Sequence, residues 1–230
     1  MRSYGRIYFY RLTINMALTN RHQLIASEGH VFITLGIIVA GVISYQFGSQ
    51  FGWQLMLPVW LLPAVLIFMF RDPTRKIPPK PLAVLSPVAA EVLAIENVRD
   101  GFIDRDAKKI VLGMGVFDIY SIRSPIEGKV IHQWYVDKKT AVSDAPQFAQ
   151  WIKTDEGDDV LLAIYRGRVM PRPRCYVQIG ERLGQGQRCG FMSFGARIEV
   201  YVPITARIDV EVGQRLNAGE HSLASFIHHH

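Results

Sequence analysis

Pro203-Ile-Thr-Ala-Arg-Ile208 runs on to Val212-Gly213-Gln-Arg-Leu216-Asn-Ala-Gly219-Glu220. The order is a strand, a glycine turn, a short hydrophobic step, a second glycine turn and a further strand. Ser124-Pro-Ile-Glu-Gly-Lys-Val130 introduces a strand in the same way, so the pattern occurs twice. From Ala83 onward the chain keeps this character. β-branched runs fall at Lys109–Leu112, Lys129–Trp134, Val160–Tyr165, Ile198–Val202 and Ile208–Val212, punctuated by Gly, Pro and Asp. Short strands at this spacing predict a mainly-β (α+β) domain over 83–227, built as a barrel or sandwich.

Outward from that domain the composition changes. The chain has 230 residues, of which 49% are hydrophobic, and the apolar excess is concentrated between Val31 and Phe70. Two uncharged runs lie there, VFITLGIIVAGVISYQFG (31–48) and WQLMLPVWLLPAVLIFMF (53–70), each about long enough to cross a hydrocarbon core. The short link at 49–52 makes them a hairpin, predicted as a transmembrane helical hairpin over 31–70. Pro58 and Pro63 make the second limb kinked or re-entrant, and a helical pair buried in a soluble core is the competing reading. A basic segment, 1–30, precedes the hairpin, and Arg71, Arg75, Lys76 and Lys80 follow it. The positive-inside rule then puts both outer ends and the C-terminal domain in the cytoplasm of a bacterial inner membrane. A net charge of +6 gathered beside the apolar block points to an anionic membrane surface, and no nucleic-acid motif accompanies it. The proline-rich stretch over 71–82 reads as a linker. The closing His228, His229 and His230 (228–230) read as a tag remnant and carry no metal argument.

Other chemistry-bearing residues are sparse. Cys175 and Cys189 are too few for a disulfide framework and wrongly spaced for zinc, so both are expected as small buried residues. Asp155, Glu156, Asp158 and Asp159 around Gly157 read as a solvated hairpin tip, and His132 and His221 as isolated. Arg166, Arg168, Arg172 and Arg174 form a cluster suited either to lipid phosphates or to a solvated loop.

Three longer segments carry a family resemblance. Leu85-Ser86-Pro87 resembles the start of a Ser-Pro-Ala-Asp-Gly motif. Phe117-Asp118-Ile119-Tyr120-Ser-Ile-Arg123-Ser124-Pro125-Ile-Glu-Gly128 resembles Phe-Asp-Val-His-x-Asn-Arg-Ser-Pro-Val-x-Gly. Phe194-Gly195-Ala196-Arg197-Ile-Glu-Val-Tyr201-Val-Pro203 resembles Phe-Gly-Ser-Arg-x-Asp-Val-Tyr-x-Pro. These motifs, with Phe70-Arg71-Asp72-Pro73 ahead of them, resemble the phosphatidylserine decarboxylases, in particular the short membrane-bound bacterial and archaeal branch. The resemblance covers about 65–226 and implies a barrel-sandwich domain of that family's type. The strand units are also similar to the half-barrels of biotinyl and lipoyl carrier domains, but no carrier lysine sits at a turn tip between the halves.

The resemblance implies a self-made cofactor. In the family a serine hydroxyl attacks the preceding glycine carbonyl, and the ester then eliminates to leave a pyruvoyl group that serves as the electron sink for decarboxylation. A histidine activates the serine and an aspartate orients the histidine. Carried onto this chain, the serine position holds Ala196 after Gly195, the histidine position holds Tyr120 and the aspartate position holds Ala89. Alanine has no nucleophile, and a phenol with a pKa near ~10 is a poor base at neutral pH. Ser193 is out of register. No cofactor is therefore expected, with a pyruvoyl group only if position 196 were serine. A Ser-to-Ala trap of the precursor accounts for Ala196 alone, whereas a non-catalytic relative accounts for all three. The resemblance then implies a membrane protein that binds phospholipid or a membrane-protein partner, or forms a homo-oligomer. Arg123, Arg197, Arg172 and Arg174 are the candidate lipid contacts. The alternative is a decarboxylase disabled at its self-cleavage site.

Overall fold

The computed structural model describes residues 25–73, 77–78, 80–135, 146–165 and 173–227. Most of the basic N-terminal segment, Arg166, Arg168, Arg172 and the three terminal histidines lie outside the described residues.

A 3-10 turn, Ser27–Gly29, leads into α1 (His30–Phe51), and the chain reverses at Gly52 with φ +83°. It returns as a 3-10 stretch, Trp53–Trp60, with Pro58 inside it, and then as α2 (Leu61–Met69). A proline at position 58 removes a helical donor, and the chain around it adopts the tighter i→i+3 bonding of a 3-10 helix instead of regular α-helix. The two limbs meet along small residues. A Cβ at Gly36 would lie 2.8 Å from the Leu66 side chain, and one at Gly29 would lie 2.5 Å from Phe70. Ala40 and Ser44 continue that buried seam, the usual way apolar helices approach closely. The opposite faces are apolar and exposed, at Val31, Leu35, Ile38, Tyr45, Leu61 and Phe68. Among the described residues one helix, Ser27–Gly48, is long and apolar enough to cross a membrane.

Strands begin with β1 (Ala83–Leu85), β2 (Ala90–Asp100), β3 (Arg105–Met114), β4 (Ser121–Arg123) and β5 (Gly128–Tyr135). Next come β6 (Phe148–Lys153), β7 (Asp159–Ile164), β8 (Arg174–Cys175), β9 (Arg182–Leu183) and β10 (Arg188–Phe191). The last are β11 (Ala196–Pro203), β12 (Arg207–Ile208), β13 (Arg215–Leu216) and β14 (Ser222–Ser225). The protein is thus mainly β, with an apolar helix ahead of the sheet. The main sheet is a half-barrel of eight strands in the order β13-β2-β3-β11-β7-β6-β5-β9, and β1-β14-β12 and β4-β10-β8 form two small sheets.

Alternation along the central strands decides which side chains are buried together. Ile110, Leu112 and Met114 of β3, Ile198 and Val200 of β11, and Leu162 and Ile164 of β7 point into one core shared with Phe70 and Tyr120. The other face gathers Ala107, Ala149, Leu161, Ala163 and Tyr201 under Phe102, Trp134, Trp151 and Tyr165. Gly128 is demanded by packing: a Cβ there would sit 2.3 Å from the Lys153 carbonyl oxygen.

Two sequence expectations change in detail. The run Ile208–Val212 is a strand only to Ile208. There the Asp209 amide bonds the Leu223 carbonyl, and its carboxylate accepts the Ser222 and Ser225 hydroxyls, turning the chain away. At the acidic tip between β6 and β7, Asp155 and Glu156 are exposed, whereas Asp158 and Asp159 are part-buried, and Asp159 accepts from the Trp151 indole at 2.8 Å and pairs with Arg105 at 3.3 Å.

β3 and β11 also fix the direction of the sheet. Ala196 lies opposite Met114 and Pro203 opposite Ala107. The Ala196 end meets the root of the hairpin, while the β2–β3 and β6–β7 turns lie at the other end, about 26 Å away for an eight-residue strand.

Candidate functional site

Backbone hydrogen bonds bring the three motif segments together. The Arg123 amide donates to the Pro87 carbonyl at 2.8 Å, joining the 86–90 segment to β4. The Met192 amide donates to the Tyr120 carbonyl at 2.9 Å, joining β4 to the loop before β11. In that loop Phe194 and Gly195 take consecutive positive φ values of 63° and 81°. A left-handed phenylalanine is a strained residue that persists only where its surroundings fix it. A Cβ on Gly195 would also meet the Met114 carbonyl oxygen at 2.9 Å, so glycine is required immediately before Ala196.

Ala196, Tyr120 and Ala89 are all buried. The Tyr120 ring stands 5.6 Å from Phe70, 6.0 Å from Phe191 and 5.8 Å from Phe194, inside the same core as Ala196. Its hydroxyl donates to the Val116 carbonyl. Burial pushes the Tyr120 phenol above its ordinary value, the backbone amide of Phe194 opposes that, and the Asp118 carboxylate adds to it. The phenol therefore stays protonated at neutral pH, beside the peptide that precedes Gly195-Ala196. Ala89 joins the others through the backbone of its segment, by the Arg123–Pro87 bond. Position 196 offers a methyl group and position 89 another.

The arginines fall in different places. Arg123 lies beneath the surface, with Nη1 donating to the Gly186 carbonyl at 3.1 Å and Nη2 3.6 Å from Asp72. Arg197 pairs with Glu199 and lies over the Tyr165 ring at 5.0 Å. Burial alone would raise the Glu199 carboxyl, but hydrogen bonds from Tyr201, Tyr165 and Arg197, with the charge of Arg197, hold it below its ordinary value. Arg174 is exposed on β8, at the rim of a small cavity lined by Ile122, Gln150, Leu162 and Cys189. Cys189 is buried and Cys175 half-buried.

Reasoning from the sequence missed a second polar centre at the hairpin root. Asp72 is 7% exposed and accepts from the Ser121 hydroxyl at 3.0 Å. Arg123 approaches one of its oxygens at 3.6 Å and Arg188 the other at 3.5 Å. Arg188 also reaches Glu28 at 3.1 Å, and Glu28 accepts from the Tyr176 hydroxyl. The one sequence signal for this network was an Asp between an apolar run and a proline, which read equally well as a helix stop.

Fold and site together define a mainly-β protein with an apolar helical hairpin packed against a three-segment site. The family profile for phosphatidylserine decarboxylase matches residues 62–224. A phosphatidylserine decarboxylase proenzyme of Nitrosomonas eutropha is 38% identical over 212 residues, covering 89% of this chain and 96% of its own. The proenzyme of Aromatoleum aromaticum is 40% identical, with 88% and 96% covered, and that of Burkholderia ambifaria 37%, with the same coverage. This chain belongs to the phosphatidylserine decarboxylase family.

Proposed function

We propose that this chain is a membrane-anchored, non-catalytic member of its family, which uses the retained domain to bind phospholipid or a membrane-protein partner. One observation carries the reading: the position that must supply a hydroxyl is a buried methyl, Ala196, while Tyr120 fills the space beside it as a protonated phenol. The residues present do not fit a pyruvoyl group, because forming one needs a serine hydroxyl at that position to attack the Gly195 carbonyl and then to leave within the new carboxylate, and a methyl can do neither. The domain is read as the family's barrel-sandwich, with its boundary in the proline-rich stretch after the hairpin.

Membrane attachment has its own support. α1, with 22 residues, is about 33 Å long. The return limb, 8 residues of 3-10 helix and 9 of α-helix, adds up to about 30 Å. Both match a hydrocarbon core of about 30 Å. The hairpin is read as spanning a bacterial inner membrane with both ends and the β domain on the cytoplasmic side, where basic residues flank it. Arg197 and Arg174 are then placed to meet lipid phosphates, as is Arg172 by sequence, while Arg123 supports the site from beneath.

The test is the intact mass, under denaturing conditions, of Ala196→Ser after expression in membranes. A single uncut chain is expected. Cleavage into 1–195 and 196–230, the shorter piece bearing a pyruvoyl end, would overturn the reading and make this a decarboxylase disabled at one atom.

A further inference from the structure

The two ends of the main sheet differ in what they expose. At the far end the β2–β3 and β6–β7 turns present Arg99, Asp104, Asp155 and Glu156 to solvent. At the Ala196 end the turn after β3 presents Val116 and Phe117, and Phe117 is 61% exposed. That turn is rigid in construction. The Asp118 carboxylate accepts from the Gly115 amide at 2.7 Å and from Arg215 at 2.7 Å. Arg215 lies on β13, which is preceded by a turn carrying Val212, also 61% exposed. The Gly213 amide bonds the Val92 carbonyl at 2.8 Å, and Leu93 beside it lies exposed over Gly113. Three separate segments thus set Val116, Phe117, Val212 and Leu93 on one end of the domain.

That end is also the foot of the hairpin. The Tyr120 hydroxyl holds the Val116 carbonyl, and the Tyr120 ring is 5.6 Å from Phe70, the residue immediately after α2. The apolar turn is therefore one side chain, Tyr120, away from the root of an apolar hairpin. Val116, Phe117, Leu93 and Val212, all exposed and brought from three segments onto one end, mark a contact surface rather than singly scattered residues.

We propose that the Val116-Phe117 turn, with Leu93 and Val212, docks into the lipid interface beside the hairpin and holds the degenerate site at headgroup level. This rests on the membrane reading above. Val116, Phe117, Leu93 and Val212 carry no charge, so the contact they make is apolar and should persist at high salt.

The test uses the full chain reconstituted in vesicles of phosphatidylethanolamine and phosphatidylglycerol, in a Cys175→Ser background, with Cys189 buried and unreactive. An environment-sensitive fluorophore is attached at Phe117→Cys, at Tyr45→Cys on the hairpin and at Glu156→Cys at the far end. The expected result is a blue-shifted emission, quenched by spin-labelled acyl chains, at 45 and at 117, and a water-like emission at 156. A water-like signal at 117 with a lipid signal at 45 overturns the docking and leaves the membrane reading standing. A water-like signal at both overturns the membrane reading and the docking with it.

Discussion

Two buried places at the hairpin root adjoin in the chain, Tyr120 beside Ser121 and Phe70 two residues before Asp72, yet differ in chemistry. Around Asp72 the protein keeps two guanidinium groups and two carboxylates below the surface. Around Ala196 it gathers apolar side chains and a protonated phenol. The contrast has a physical reason. Removing one member of a buried ion network strands the others, which is strongly destabilising. Replacing a serine, a histidine and an aspartate by alanine, tyrosine and alanine strands nothing: a methyl needs no partner, and the Tyr120 hydroxyl finds the Val116 carbonyl. Those three positions can therefore differ from the family motifs at little expense to the fold, while the Asp72 network cannot be dismantled so cheaply.

The sharpest test of that contrast is reversal. The frame around the site is intact, with Phe194 and Gly195 both at positive φ and the three segments still cross-bonded. The triple variant Ala196→Ser, Tyr120→His, Ala89→Asp is expected to cut itself between 195 and 196, seen as two masses, where Ala196→Ser alone stays whole. An uncut triple variant would mean that the frame has drifted as well as the side chains. Next in size, Asp72→Ala should lower the unfolding free energy by about 3–5 kcal/mol, because it leaves Arg123 and Arg188 facing each other without their shared carboxylate. Urea unfolding in detergent micelles measures it. A loss below about 1 kcal/mol would put the network in the class of solvated surface pairs and erase the contrast.

The sequence discloses these two places unequally. The hairpin and the mainly-β domain follow from patterns local to each segment, uncharged runs and β-branched alternation, while positions 120 and 196 follow from the resemblance of their segments to family motifs. Asp72, Glu28 and Arg188 are 44 and 116 residues apart in the chain (72 − 28 and 188 − 72), and nothing local marks any of them as buried. Ile208–Val212 misleads for the opposite reason. Its alternation is that of a strand, but the bonds that end the strand come from Ser222 and Ser225, outside the window. Arg123 shares a motif with Tyr120, and only the fold turns its side chain inward to Asp72.

The smallest effect discriminates most finely. Tyr120→Phe removes a single hydrogen bond to the carbonyl of an exposed turn, where water takes the place of the hydroxyl, so the loss at neutral pH should be about 1 kcal/mol or less. Its pH dependence carries the information. The unfolded phenol ionises near ~10, whereas burial holds the folded one higher. A raised folded value contributes stability below the unfolded pKa, and that contribution is lost as pH rises through the folded pKa. The gap between the unsubstituted chain and Tyr120→Phe should therefore narrow above about pH 10. Tyr165, pushed up to about 12, and Tyr201, also raised, titrate in both proteins and cancel from the difference. A gap that widens with pH would mean that the Phe194 amide outweighs burial and stabilises the phenolate. Tyr120 would then be a group able to take a proton beside Gly195, and the site would have a base without a nucleophile rather than neither.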